Sequence, residues 1–224
     1  MSGKLGVLIL DTRFPRLPGD PGNPATYEVP AILRRVEKAT VDKIVSRSIT
    51  DDVAHLFVKA AKELERENVT AITTSCGFLI YLQDKLARNV NIPVFTSTLL
   101  LLPLAWRITQ KPVGILTANS DALTMEHLRK AGAENIDVRI KGLEDKPEFR
   151  RVILEDSTTM DIERMRRDIV EAAKELVDGN PDIGSIVCEC TNLAPFREDI
   201  KKAAGKPVFD YLTLVTMAVS STTS

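Results

Sequence analysis

Thr73-Thr74-Ser75-Cys76-Gly77-Phe78 and Val187-Cys188-Glu189-Cys190-Thr191-Asn192 decide how this chain reads, since each closes a short apolar run with a polar, cysteine-bearing turn. Pro93, in Ile92-Pro93-Val94-Phe95, lies seventeen residues beyond Cys76. Pro207, in Lys206-Pro207-Val208-Phe209, lies seventeen beyond Cys190. Both pairs share an offset of 114 residues, and Lys4–Ile9 reads like Lys111–Leu116 at an offset near 108. Similarity at a fixed spacing marks an internal duplication. A pseudo-twofold axis between the halves would set two thiols face to face on one small molecule.

A chain of 224 residues suits one large domain or two small ones. The expected division is a first lobe over 1–105, with the closing helix 211–224 as a candidate addition, and a second lobe over 106–210. Net charge of −1, with 27% charged residues, gives no pull toward nucleic acid or a charged membrane surface. The apolar run at the N-terminus breaks at Asp11, too short for a signal peptide, so a cytoplasmic protein is expected. Ile92–Trp106, interrupted by Pro103, is too short to span a bilayer. It reads as a buried helix or a subunit contact, and a homodimer is expected. Three cysteines and two histidines assemble neither a disulfide framework nor the usual zinc sets.

Buried strands and amphipathic helices alternate along the chain, which predicts an α/β fold with parallel sheets. Strands are expected at Gly6–Leu10, Val41–Ser46, Val69–Thr73, Pro93–Phe95, Val113–Leu116, Ile136–Ile140, Ile183–Val187 and Val208–Phe209. The loop 11–26, dense in proline and glycine, is neither helix nor strand. Helix is expected from Val29 to Ala39, from Thr50 or Asp51 to Arg66, and from Asn119 or Ser120 to Ala131. It is expected again within 147–177, where an insert is rich in helical pattern, and from Leu212 to Val219. His55, His127 and Arg197 read as surface residues, and Cys188 as core. No glycine-rich phosphate loop is present.

In parallel sheets ligands bind beyond the carboxyl ends of the strands, where both cysteine turns fall. A thiol there meets free backbone N–H groups, which favour its thiolate and attract a carboxylate. Two such thiols suit inversion of a carbon centre: one takes the α-proton, and the other returns a proton to the opposite face.

These residues resemble the aspartate/glutamate racemase superfamily, which includes hydantoin racemases, maleate cis-trans isomerases and arylmalonate decarboxylases. Thr74-Ser75-Cys76-Gly77-Phe78 stands for the family's first motif, and Glu189-Cys190-Thr191-Asn192-Leu193-Ala194-Pro195 for its second. The resemblance implies two pseudo-symmetric parallel-sheet domains with the active site in the cleft between them. It also implies a cofactor-independent isomerase in which Cys76 and Cys190 are the acid and base. Asn23-Pro24-Ala25-Thr26 is similar to a carboxylate-binding turn of the hydantoin branch, which gives Asn23 and Thr26 as contacts. Ser75, Gly77, Thr117, Thr191 and Asn192 complete the expected substrate contacts, with Arg13 and Arg16 to grip a second carboxylate. The chain departs from the pattern at Gly77, where amino-acid racemases carry Asn, at Glu189 in place of Gly, and at Asn192 in place of Glu or His.

The expected function is therefore racemisation of a small acidic amino acid, aspartate or glutamate, with no cofactor, metal, nucleic acid or membrane partner. The alternatives are a maleate-type isomerase or hydantoin racemase using the same cysteines, and an inactive dicarboxylate-binding or regulatory protein.

Overall fold

A computed structural model describes residues 3–222. The last two positions of the expected 211–224 helix lie outside the described residues. The strands are β1 (Leu5–Leu10), β2 (Ala31–Val36), β3 (Ala71–Thr74), β4 (Val94–Phe95), β5 (Val113–Thr117), β6 (Val138–Gly142), β7 (Ser185–Cys188) and β8 (Val208–Phe209). They form two parallel four-stranded sheets, ordered β2-β1-β3-β4 and β6-β5-β7-β8. Leu5 pairs with Ala71 in the first sheet and Val113 with Ser185 in the second. These registers are related by the offsets 108 and 114 that the sequence carries, so the protein is an α/β fold of two lobes with matching sheets.

The helices are α1 (Val41–Ile44), α2 (Asp51–Arg66), α3 (Gln83–Ala87), α4 (Leu102–Thr109), α5 (Met125–Lys130), α6 (Pro147–Phe149), α7 (Ile162–Asp178), α8 (Arg197–Ala204) and α9 (Tyr211–Thr222). In α2, Val53, Phe57, Ala60, Ala61 and Leu64 fall at helical spacing and are all buried. The last helix of each lobe is exchanged. From α9, Tyr211 and Val215 pack with Leu5, Val7 and Ala71 of the first sheet. α4 instead lies against β7 of the second. One apolar core runs through both lobes.

Three expectations need correction. Residues 31–36, expected as helix, form edge strand β2 beside β1. Val29, Ile32, Leu33 and Val36 have helical spacing, yet Leu33 packs toward the α9 cluster and Val36 into the main core. That alternation serves a strand, and pairing along β1 overrides the local pattern. Residues 41–44, expected as strand, are the single turn α1, because β2 already holds the sheet edge. Asn119 does not open α5; its side chain caps a turn at Asp121 and Ala122, and Thr124 starts the helix.

Candidate active site

Each cysteine leaves its strand and begins a 3₁₀ turn, Gly77–Leu82 after β3 and Thr191–Phe196 after β7. The amide of Phe78 is directed to the Cys76 thiol and that of Asn192 to the Cys190 thiol, the same i+2 contact in both lobes. The lobes are sewn together beneath these turns. Thr191 Oγ1 donates to the Ser75 carbonyl at 2.7 Å, and Thr98 Oγ1 to the Cys188 carbonyl at 2.6 Å.

Cys76, half-buried, and Cys190, buried, line one cavity at the seam. Ser75, Thr191, Asn192, Arg16 and Glu189 supply its polar wall, and Leu10, Phe14, Val41, Val45, Ala118 and Ile153 its apolar one. Its volume is about 20 Å³, room for a single water. In this structure the cavity is closed to anything larger than a water.

The first loop contributes Phe14 and Arg16 to that wall. Arg16 stacks on Phe14 and donates to Asp20 Oδ1 at 2.8 Å and to Thr12 Oγ1 at 2.7 Å. Buried Asp20 also accepts from Asn192 Nδ2 at 2.6 Å, and the Cys190 thiol faces Asn192 Oδ1 at 3.6 Å. The loop thus reaches the second cysteine through two side chains. Arg13, exposed, faces away from the cavity: its backbone N–H and Nε donate to Asp156 at 2.6 and 3.0 Å. Phe14 N–H bonds the same carboxylate at 3.2 Å, so Asp156 latches the loop across the seam.

Asn23 and Thr26 do not line the cavity. Asn23 caps the 3₁₀ turn Pro24–Thr26 and donates to the Arg16 carbonyl, while Thr26 Oγ1 holds Gly19 and Asp20. Their structural work is to shape the loop that presents Arg16 and Asp20. Thr117 lies beneath the floor, bonded to Glu189 at 2.7 Å. Gly77 lies against Glu189: a Cβ there would meet the Glu189 carbonyl and Oε1 closer than any real contact allows.

Burial pushes both thiols above their ordinary range, and the carboxyl of Glu189 pushes them further. Arg16 opposes the rise at Cys76, whereas Asp20 adds to it at Cys190. The surroundings therefore disfavour thiolate at both groups, and least at Cys76, where Arg16 opposes the rise. Burial raises Glu189 itself to about 7. Among the described residues no three His, Cys, Asp or Glu side chains gather to hold a metal ion.

The sequence reading does not single out Asp20, Glu189 or the apolar wall as parts of this candidate site. Asp20 carries no signal within a proline-rich loop. Glu189 carried one, a carboxyl on a buried strand end between two cysteines. His127, expected at the surface, is fully buried: its Nδ1 closes the capping box of α5 and its ring packs edge-on to Phe78. Arg197, also expected at the surface, is largely covered and faces buried Asp210 at 3.6 Å. Cys188 is core, with no exposure.

The chain is 33% identical to a dimethylsulfoniopropionate lyase of Durusdinium sp. clade D, over 92% of this chain and 70% of that protein. It is also 33% identical to dimethylsulfoniopropionate lyase 6 of Emiliania huxleyi, over 97% of this chain but 59% of the relative's length. The fold is similar to that of an aspartate racemase homologue from Pyrococcus horikoshii, with a TM-score of 0.62 and 14% identity, covering 99% of this chain and 98% of that one. Among the described residues no helix is long and apolar enough to cross a membrane. The family model for Asp/Glu/Hydantoin racemase matches residues 38–219, and the chain belongs to that family.

Proposed function

We propose that the protein is a lyase that removes the α-proton of dimethylsulfoniopropionate and releases dimethyl sulfide and acrylate. The cavity carries this reading: it joins two thiols and one cationic side chain, Arg16, to an apolar wall of Leu10, Phe14, Val41, Val45, Ala118 and Ile153. A substrate with one carboxylate and a bulky methylated sulfur matches that composition. Aspartate and glutamate bring two carboxylates and an ammonium, and among the described residues only one guanidinium lines the cavity. Two relatives at 33% identity bear the lyase name, which supports the same reading.

In the reaction the carboxylate pairs with Arg16, which holds the α-carbon between the sulfurs. The Cys76 thiolate takes the α-proton, and the electron pair left on carbon spreads into the carboxylate. That pair then forms the carbon–carbon double bond as the β-carbon–sulfur bond breaks, and sulfur leaves as neutral dimethyl sulfide. Cys190, as thiol, hydrogen-bonds the charge that builds on the carboxylate. Loss of the proton from Cys76 to solvent restores the thiolate.

The paired thiols also support a second reading, racemisation of an acidic amino acid, in which Cys190 returns the proton to the opposite face. One experiment separates the two. The protein is incubated in D₂O with dimethylsulfoniopropionate, L-aspartate, L-glutamate or a 5-substituted hydantoin, and proton NMR is recorded. Acrylate and dimethyl sulfide are expected from the first, with no loss of the α-proton signal in the others. Loss of α-proton signal in an amino acid or hydantoin, without acrylate, would overturn the lyase reading.

A further inference from the structure

Glu189 occupies the place that Ser75 holds in the first lobe. Ser75 N–H donates to the Leu8 carbonyl, and Ser75 Oγ accepts from Leu10 N–H at 3.0 Å. Glu189 N–H donates to the Leu116 carbonyl, and Glu189 Oε2 accepts from Ala118 N–H at 3.4 Å. A hydroxyl therefore suffices for the structural task, yet this chain carries a carboxyl. Its second oxygen, Oε1, is fully buried and has no hydrogen-bond partner. It fills the space a side chain at Gly77 would take, beside Cys76. Thr117 and Ala118 satisfy Oε2, but a buried carboxylate without a countercharge is costly, and an unsatisfied oxygen in a folded protein asks for a reason. Its pKa of about 7 leaves much of it ionised near neutrality.

We infer that Glu189 is the cation subsite of this cavity, whose carboxylate selects substrates bearing a methylated onium group, sulfonium or quaternary ammonium, beside the reacting carbon. The inference rests on the lyase reading for the substrate's other end, the carboxylate at Arg16. An onium carries no N–H or S–H to donate, so it suits an oxygen that has the Phe78 amide nearby but no well-formed hydrogen bond. It takes its hold from charge and from methyl contact with the apolar wall. The same carboxylate lowers the energy of the cation only while sulfur is charged, so the neutral sulfide leaves freely.

The test is binding, without turnover. 3-(Trimethylammonio)propanoate and 4,4-dimethylpentanoate have the same shape and differ by one positive charge. Their affinities are measured by calorimetry at pH 6 and pH 8 with the wild-type protein, Glu189→Gln and Glu189→Ser. The serine variant copies Ser75, so it keeps the cap on Ala118 if the glutamine variant fails to fold. The wild type is expected to prefer the onium by about tenfold at pH 8 and by less at pH 6, and both variants to bind the pair within about twofold. No preference in the wild type, or an unchanged preference in either folded variant, overturns the subsite. Acrylate release in a wild type without onium preference would remove the subsite and leave the lyase. Preference without acrylate release would do the reverse.

Discussion

Position 77 has no room for a side chain, because the carbonyl and carboxyl of Glu189 occupy the volume a Cβ would need. Gly77→Ala is expected to lower stability by about 1–3 kcal/mol in chemical denaturation. Adding Glu189→Ser is expected to restore it only in part, because the Glu189 backbone carbonyl is itself in the way. At the two thiols, Cys76→Ser and Cys190→Ser are each expected to reduce kcat/KM about 100- to 10,000-fold while leaving the thermal midpoint near that of the wild type. Cys188 faces the core, not the cavity. Cys188→Ala is expected to keep kcat within about twofold and to cost about 1 kcal/mol of stability.

Among the elements, the first loop carries the closed state. Asp156 adopts a left-handed backbone, φ 54°, which aspartate tolerates, and takes hydrogen bonds from the Arg13 and Phe14 amides. Asp156→Ala is expected to free the loop without unfolding the lobes, with faster amide exchange at residues 12–17 and a several-fold rise in KM. The sequence showed the duplicated strands and both cysteine turns because a repeat offset survives divergence. β2 and α1 were read in reverse because both are short and take their state from the sheet edge, not from their own periodicity. The loop's roles for Asn23, Thr26 and Arg13 were illegible for a related reason. Polar side chains in a proline-rich segment serve either the loop or the ligand, and only coordinates separate the two.

Over the whole molecule, two buried titratable groups set opposite pH trends. Glu189 is raised from 4.5 to about 7, so the folded protein holds its proton more tightly than the unfolded chain, and the associated stability is lost as pH rises through that window. His127 is lowered from 6.5 to about 4 by burial, so its contribution is lost as pH falls from 6.5 toward 4. Each window is worth about 3 kcal/mol. Urea titrations are expected to show Glu189→Gln gaining on the wild type by about that amount between pH 4.5 and 7, while the wild type itself changes little from pH 4.5 to 6.5. The central claim is geometric: two sulfurs address one carbon from opposite sides of a single cavity. A crystal structure with 4-methylpentanoate, a carboxylate whose branched end is uncharged and cannot leave, tests it most directly. Carbon 2 is expected to lie between Cys76 and Cys190 with each Sγ within about 4 Å and the carboxylate on Arg16. A ligand seated elsewhere, or with one sulfur turned away from carbon 2, would contradict the account.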